Sequence, residues 1–372
     1  MQRMRATGRF IMAATVVVLA ACGSIAPTPS TQAPSAPAPG PASPTPGPLA
    51  SFAVTSAPAS SGSSATLPAG RLAVVVGDTN APSLVVTVPG ATAAERIVAG
   101  AGSATWSPDG RRLLATCQAR PDALPSLCAI DLRDPNGASV PVLDEVAWAR
   151  WAPGADLVAL GRSFVDVGDT WIARPDGTGL RQLSIAGHEM VADRWSPDGT
   201  QLAGRASRGG VDAFEVAVCN VVAATCRTLG PGQALAWSPG GRLAVITGED
   251  QPPSSVDPAS GARTELTAVG RGIVALDWSA TGSIAAVVSD MRLIVVPSGS
   301  QATYPMAPAL RIPEPFTGSV AWSPGGGWIG FLASSSGDAR TDLYVARADG
   351  SELTRVTTTG DARSFAWAPG TP

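Results

Sequence analysis

A five-residue motif that begins with Trp recurs along this 372-residue chain and constrains its fold more than any other feature. Successive copies are 45, 44, 42, 41, 44 and 45 residues apart, and seven of the ten Trp residues occupy the first position. A period of this length, with no helical pattern between copies, is typical of a β-propeller whose blades have four strands each. A β-sandwich with incidental Trp residues would not give seven nearly equal intervals. The copies are WSPDG at Trp106, WAPGA at Trp151, WSPDG at Trp195, WSPGG at Trp237, WSATG at Trp278, WSPGG at Trp322 and WAPGT at Trp367.

The residue types of the motif predict a tight hairpin after the first strand of each blade. In Ser-Pro-Asp-Gly, Pro presets φ at the second turn position, Asp tolerates the third, and Gly supplies a positive φ at the fourth. The Trp before the turn is a large flat side chain that suits the space between adjacent blades. We therefore expect each copy to join the innermost strand of a blade to the second strand.

Three further strand-like segments follow each motif in the same order. Turn dipeptides such as Asp176-Gly177 and Asp349-Gly350 separate the third strand from the fourth, where a hairpin needs them. The predicted strands after Trp106 are 112–117, 127–132 and 140–143, and those after Trp322 are 328–333, 342–347 and 352–356.

The first and last repeats are incomplete in complementary ways. The seventh motif has an inner strand, 364–367, without the three strands that follow it elsewhere. At the start, PAGRLAVVV (68–76) matches PGGRLAVIT (239–247), and strands 71–76, 84–88 and 95–98 follow without an inner strand before them. Aligning the two copies puts the missing Trp at position 66, which is 40 residues before Trp106. We therefore predict one composite blade, which closes an all-β, seven-bladed propeller over residues 70–372 and removes its exposed edges.

These motifs resemble the TolB-like β-propeller family, whose blades carry Trp-Ser-Pro-Asp-Gly before the second strand. The resemblance covers about residues 70–372; the copies at Trp106 and Trp195 match the motif fully, and the other five match with substitutions. It implies a propeller, while the motif specifies a blade and not an activity. For TolB itself the resemblance implies a separate N-terminal domain and contact with a peptidoglycan-associated lipoprotein. This chain has an apolar leader and a Pro-rich segment in that place.

The first 21 residues have the pattern of a lipoprotein signal peptide. Arg3, Arg5 and Arg9 precede an apolar run of 11 residues, 10–20, which is too short for the roughly 20 residues of a membrane span. Leu-Ala-Ala-Cys at 19–22 then resembles the bacterial lipobox, in which the Cys receives a diacylglyceryl group and becomes the new N-terminus. We expect lipidation at Cys22, with a further acyl chain such as palmitate making the anchor stable. The alternative is an ordinary cleaved signal peptide with a chance Cys.

Residues 22–69 form a predicted disordered linker between the anchor and the propeller. Residues 23–68 contain 11 Pro among Ala, Ser, Thr and Gly and no charged residue, so too little apolar bulk is present to offset the entropy of ordering. After removal of three Arg with the leader, 23 basic and 29 acidic residues remain. A net negative chain without a basic run is not expected to bind nucleic acid.

The four Cys residues of the propeller region predict two disulfides within blades. Cys117 ends one predicted strand and Cys128 lies on the neighbouring strand, while Cys219 and Cys226 are related in the same way two blades later. Pairing across blades would exceed the ~7 Å limit between Cα atoms. We therefore predict 117–128 and 219–226, in an oxidising compartment outside the cytoplasm. The alternative is four buried thiols; a metal site is not expected, because no His or second CxxC lies nearby.

Charged residues just before the inner strands are the candidate ligand-binding residues. They fall six or seven positions before a motif Trp, where the chain returns to the mouth of the central channel, and they would suit a cation, an amine or a sugar. The alternative is that they are solvated loop charges. Three residues directly before a motif Trp, Arg150, Arg194 and Asp277, are expected to form ion pairs between blades. The candidate ligand-binding residues are Asp144, Glu145, His188, Glu189, Arg271 and Asp361.

The sequence favours a non-catalytic binding or scaffold lipoprotein of the cell envelope with a protein or glycan partner. It has one His, no Gly-x-Ser-x-Gly elbow, no Walker loop and no zinc or EF-hand spacing, so no catalytic residue and no cofactor is predicted. The propeller is expected to be a monomer, held outside the cytoplasm on a bacterial membrane. The alternative is an extracytoplasmic glycan hydrolase or lyase that uses paired carboxylates of the acidic rim; a small-molecule sensor is a third possibility.

Overall fold

The structure is a computed structural model that describes residues 70–78, 81–118, 123–134, 138–162, 168–208, 214–313, 319–335 and 340–370. All of them belong to one compact unit. Within these ranges the chain forms 29 β-strands and one short 3₁₀ helix, Thr267–Val269. The strands make seven antiparallel sheets, which are the seven blades of a β-propeller. The prediction of an all-β, seven-bladed fold is confirmed.

The blades are numbered from the ring closure onward, with the innermost strand of each named first. Blade I contains β29 (Ser364–Trp367), β1 (Leu72–Val76), β2 (Ser83–Thr87) and β3 (Arg96–Ala99). Blade II contains β4 (Ala101–Trp106), β5 (Arg112–Cys117), β6 (Ser126–Asp131) and β7 (Val140–Leu143). Blade III contains β8 (Trp148–Trp151), β9 (Val158–Gly161), β10 (Thr170–Ala173) and β11 (Arg181–Leu183).

The remaining four blades follow in chain order. Blade IV contains β12 (Glu189–Trp195), β13 (Gln201–Ser207), β14 (Glu215–Asn220) and β15 (Thr225–Pro231). Blade V contains β16 (Gln233–Trp237), β17 (Leu243–Ile246), β18 (Ser254–Val256) and β19 (Arg263–Glu265). Blade VI contains β20 (Ile273–Trp278), β21 (Ile284–Val288), β22 (Leu293–Val296) and β23 (Tyr304–Met306). Blade VII contains β25 (Val320–Trp322), β26 (Trp328–Ser335), β27 (Asp342–Arg347) and β28 (Thr354–Arg355), with the two-residue strand β24 (Leu310–Arg311) also paired to β26.

Blade I is the predicted composite sheet. The C-terminal strand β29 pairs antiparallel with the N-terminal strand β1, with Phe365 opposite Val74 and Trp367 opposite Leu72. The edge of β1 that would otherwise be open is thereby used within the fold, and the two ends of the described chain are held in one sheet.

Strand bounds agree with the sequence to within one or two residues in most elements, and the clearest departure is the last outer strand. The sequence predicts a strand over 352–356, but β28 is limited to Thr354–Arg355. Glu352 has φ of +54°, a left-handed conformation that interrupts an extended strand. The hydrophobic pattern did not contain this information.

The hydrophobic core lies between the blades and not within a separate central layer. Each of the seven core clusters found among the described residues joins two consecutive blades, including the pair VII and I. The cluster between blades I and VII contains Leu72, Val74 and Trp367 from one side and Leu332 and Leu343 from the other. No blade can bury both of its faces without its neighbours, so closure of the ring contributes to the stability of every blade.

Most of the motif Trp residues bond their blade to the one before it. In five of the seven copies the indole Nε1 donates a hydrogen bond to the carbonyl oxygen of the residue just before the preceding blade's motif Trp. The acceptor distances are 3.1 Å for Trp106 to Ala366, 2.9 Å for Trp195 to Arg150, 2.9 Å for Trp237 to Arg194, 3.1 Å for Trp322 to Asp277 and 3.2 Å for Trp367 to Ala321. Trp is therefore required both for its area and for its single donor.

The Ser-Pro-Asp-Gly turns have the structure that the sequence predicts. In blade IV the Ser196 hydroxyl donates to Asp198 at 2.6 Å, the carboxylate accepts from the amide of Thr200 at 3.1 Å, and Gly199 has φ of +69°. These hydrogen bonds favour the ionised carboxyl, the hydroxyl contributing most, and lower the pKa of Asp198. The turn is thus stabilised by its own side chains.

Candidate functional site

The six predicted ligand-binding residues lie on the face of the propeller where the inner strands begin. Asp144 and Glu145 precede β8, and both are exposed. Asp144 accepts a hydrogen bond from the Ser126 hydroxyl at 2.9 Å. Glu145, with φ of +57°, lies 3.4 Å from Arg162. Both carboxylates are therefore engaged with neighbours in blades II and III.

His188 belongs to a separate cluster in blade IV. Its Nε2 lies 2.9 Å from Glu215 Oε2 and 3.0 Å from Nε of Arg208, and its Nδ1 lies 3.1 Å from the carbonyl oxygen of Ala186. The imidazole is almost fully buried, with 6% of the side chain exposed. Both ring nitrogens of His188 thus have partners in blade IV or in the loop that precedes β12.

The other three residues are distributed around the ring. Glu189 begins β12 instead of preceding it, and it is exposed, as is Arg271 before β20. Asp361, before β29, accepts a hydrogen bond from the Thr359 hydroxyl. In the part of the chain that the structure describes, no hydrogen bond or ion pair joins any two of the six residues, except that neighbours in sequence are adjacent in space. The structure therefore shows four separate charged positions in blades III, IV, VI and I.

The central channel holds a second group of charged residues. A cavity of about 450 Å³ is lined by the inner strands of all seven blades. The seven residues that directly precede the motif Trp residues all contribute to it, and four charged side chains from neighbouring parts of the ring line it. Those charged residues are Arg150, Asp193, Arg194 and Asp277.

Arg194 is held by two contacts. Its Nη1 lies 3.0 Å from Asp193 Oδ2, and its Nε donates to the carbonyl oxygen of Leu235 in blade V at 3.0 Å. A bulge in β12 between Ala192 and Arg194 leaves Asp193 without a partner in the register. Successive residues of a regular strand point to opposite faces, whereas a bulge can turn two neighbours to one side. Asp193 and Arg194 line the same cavity for this reason.

Asp277 joins blades VI and VII through the backbone. Its Oδ1 accepts from the amide of Trp278 at 3.0 Å, and its Oδ2 accepts from the amide of Trp322 at 2.9 Å. Burial in the channel disfavours the charged form and raises the pKa of Asp277 to about 6, although both amides and the positive charge of Arg194 act in the opposite direction.

Arg150 is the cation of the channel with the fewest contacts. Its Nη1 donates to the carbonyl oxygen of Ala149 at 2.9 Å, and among the described residues no carboxylate lies within ion-pair distance of it. Burial lowers the pKa of the Arg150 guanidinium; Asp193 opposes this effect and Arg194 adds to it.

The expectation of ion pairs between blades at Arg150, Arg194 and Asp277 is therefore wrong. Arg194 pairs with Asp193 of its own strand, and the contacts that cross between blades are hydrogen bonds to backbone groups. The sequence analysis also missed Asp193, since a period-two strand would have turned it away from Arg194. The signal available in the sequence was that two oppositely charged residues, Asp193 and Arg194, directly precede the motif residue Trp195.

Both predicted disulfides are present. Cys117 is bonded to Cys128 with a Cα–Cα distance of 6.0 Å, and Cys219 is bonded to Cys226 with a distance of 4.0 Å. Each bond links adjacent strands of a single blade.

No cluster of metal-binding side chains occurs within the described ranges. Nor does a helix with the length and apolar character of a membrane span occur there. Cys22 and residues 22–69 lie outside the described residues.

Comparisons with known proteins show what this chain is similar to in structure. No protein-family model matches the sequence, and no curated protein matches it. Among solved structures, TolB from Acinetobacter baumannii has a TM-score of 0.53 and 16% identity, covering 82% of this chain and 68% of that chain.

Two further similar structures come from hydrolytic proteins. A puromycin hydrolase S511A mutant complexed with PGG gives a TM-score of 0.54 at 20% identity, over 81% of this chain and 55% of that chain. The β-propeller domain of the Trilobed protease from Pyrococcus furiosus, which has an open velcro topology, gives a TM-score of 0.52 at 11% identity. The match covers 80% of this chain and 97% of that chain. At these identities the similarity establishes the fold alone: the chain is a β-propeller of the kind found in TolB and in propeller domains of larger proteins.

Proposed function

We propose that this chain is a non-catalytic binding module, displayed outside the cytoplasm on a lipid anchor, and that one face of its propeller contacts a protein or glycan of the cell envelope. The observation that carries the proposal is the closed ring itself. Seven blades share their cores pairwise, and Trp indoles bond consecutive blades. A rigid scaffold of this type presents its connecting loops at fixed positions, as binding proteins require.

The charged loop residues support binding better than turnover. Glu189 and Arg271 are exposed and lie in different blades, which suits a broad polar contact with a partner. Asp144, Glu145 and His188 are engaged by Ser126, Arg162 and Glu215. Glycoside hydrolysis needs two carboxyl groups on either side of one bond, roughly 5–10 Å apart, whereas Asp144 and Glu145 are already engaged by Ser126 and Arg162.

Display at a membrane is supported by the leader, by Cys22 and by the Pro-rich linker of residues 22–69. The two disulfides add support, because such bonds persist in oxidising compartments. The linker would allow the propeller to reach away from the bilayer at up to about 3.1 Å per residue.

Labelling of the producing bacterium with palmitate tests the anchor. Wild-type protein should incorporate the label and fractionate with membranes, and a Cys22→Ala variant should do neither. Cys219→Ser with Cys226→Ser is the matched control, since it removes two other cysteines, which are joined in a disulfide, without touching the lipobox. Label retained by Cys22→Ala would refute lipidation at this residue.

A double variant distinguishes binding from the hydrolase or lyase alternative. Glu145→Gln with Glu189→Gln removes two rim carboxylates while keeping side-chain size. In a binding module, the amount of envelope partner crosslinked to the propeller in intact cells should fall only partly, and no turnover of cell-wall glycan by either protein should be seen. Glycan cleavage by wild type that the double variant abolishes would establish the enzyme instead.

A further inference from the structure

The central channel has the size and lining of a small-molecule site. Its volume of about 450 Å³ falls within the ~300–1,000 Å³ typical of ligand pockets. The residues Trp151, Trp195, Trp237, Leu235 and Leu276 are part of the lining. Such sites are mostly apolar with a few polar groups that fix the orientation of the ligand.

Three of the four charged side chains in the channel are already satisfied. Arg194 has Asp193 at 3.0 Å and the Leu235 carbonyl oxygen at 3.0 Å. The two oxygens of Asp277 each accept a backbone amide. Arg150 differs, because only its Nη1 has a hydrogen-bond partner among the described residues, the carbonyl oxygen of Ala149.

The free edge of Arg150 has the geometry that a carboxylate needs. Nε and Nη2 lie on one edge of the planar guanidinium and present two parallel N–H groups, the arrangement that binds a carboxylate through both oxygens. Burial disfavours the charge on Arg150, Asp193 favours it and Arg194 disfavours it. Because no carboxylate among the described residues lies within ion-pair distance of Arg150, an anion at this edge would supply a direct partner.

The net charge of the lining selects a monoanion. Arg150 and Arg194 together balance Asp193 and Asp277 at neutral pH. A single negative charge beside Arg150 is therefore tolerated, whereas a dianion such as phosphate would be repelled by the two carboxylates. We propose that the channel binds a small organic monocarboxylate, with its carboxylate on the Nε–Nη2 edge of Arg150 and its apolar body against the apolar residues of the lining. This site is independent of the proposed partner-binding face and of membrane display.

Calorimetric titration of the full chain tests the proposal with defined probes. Sodium benzoate supplies a carboxylate on an apolar body, benzamide is its neutral isostere, and inorganic phosphate, with the titration at pH 8, is mostly the dianion hydrogen phosphate. Benzoate should bind with one-to-one stoichiometry, and benzamide and phosphate should bind at least about tenfold more weakly, since a charge-assisted bidentate contact is lost or opposed. Equal binding of benzoate and benzamide, or no binding of benzoate at millimolar concentration, would overturn the proposal without any variant.

Arg150→Gln should weaken benzoate binding by about tenfold or more. Arg292→Gln is the matched control, because Arg292 is exposed and paired with Asp290 far from the channel lining; it should bind benzoate like wild type. If Arg150→Gln does not fold, Arg150→Lys is the second variant. It keeps the positive charge but lacks the two parallel N–H groups of the guanidinium, so it should still weaken benzoate binding. Unchanged affinity in the folded Arg150 variant would place any bound benzoate elsewhere and refute the assignment.

Discussion

The indole Nε1 of Trp106 donates a hydrogen bond to the carbonyl oxygen of Ala366 at 3.1 Å, across a sequence separation of 260 residues. Trp367 makes the equivalent bond to Ala321 at 3.2 Å. Blade I, which is built from both ends of the described chain, is therefore bonded to its two neighbours in the same way as blades III and IV, IV and V, and VI and VII are bonded to each other. The ring has no structurally distinct closing contact.

Replacing the donor of this bond should destabilise the propeller modestly. Trp106→Phe keeps an aromatic ring in the interface but leaves the Ala366 carbonyl oxygen without the indole donor, at a cost of about 1 kcal/mol. Trp278→Phe is the matched control, because no hydrogen bond from the Trp278 indole to another described residue is present; its cost should be smaller. Chemical denaturation of the two variants measures the difference, and equal costs would contradict the role assigned to Nε1.

Removal of the last strand should unfold the whole ring. Deletion of residues 363–372 takes β29 from blade I, which exposes β1 and opens the cluster that contains Leu72, Val74 and Leu332. We expect the cooperative thermal transition to be lost, as monitored by calorimetry and near-ultraviolet circular dichroism. Deletion of residues 371–372 alone is the control and should leave the transition in place. A shortened chain that melts like wild type would show that the composite blade is not needed.

Gly199 should not tolerate a side chain. A Cβ at this position would lie 2.5 Å from the carbonyl oxygen of Pro153 in the neighbouring blade, and φ is +69°. Gly199→Ala should therefore lose about 2–4 kcal/mol, from both backbone strain and the clash. Gly154→Ala separates the two effects, because Gly154 has φ of +67° with no atom near the added Cβ, and it should lose only about 1 kcal/mol. Equal losses in the two variants, measured by denaturation, would contradict the close approach of the blades.

Asp277 should make stability depend on pH between about 4 and 7. Its pKa rises from 3.8 to about 6 on burial, so the folded state binds the proton more tightly than the unfolded state. The stabilisation from this proton is complete below pH ~4 and is lost as the pH rises through 6. At about 1.4 kcal/mol per pKa unit, the change is on the order of 3 kcal/mol.

The comparison with Asp277→Asn at each pH isolates this group from all others that titrate. The stability of wild type relative to the variant should fall from pH 4 to pH 7 and be level outside that range. Melting temperatures across this series provide the measurement. A constant difference between the two proteins would show that Asp277 is not desolvated in the channel.

The sequence by itself determined the number of blades, most strand positions, the composite blade and the disulfide pairs. Each of these depends on local spacing: the motif sets the hairpin, the period sets the blade, and Cys117 and Cys128 lie on strands that adjoin in any four-stranded blade. The sequence also singled out Arg150, Arg194 and Asp277 as the charged residues directly before a motif Trp, but it assigned them ion pairs between blades that they do not form.

Only the tertiary structure decided what these charges contact. Asp193 and Arg194 share one cavity because β12 contains a bulge, and Asp277 bonds to Trp322 because two strands that are 45 residues apart become neighbours. It also showed Arg150 in the lining of the channel with Nη1 hydrogen-bonded to the carbonyl oxygen of Ala149. Repeat spacing reports which strands are adjacent, whereas the direction of a side chain across a channel depends on bulges and packing that no short segment of sequence encodes.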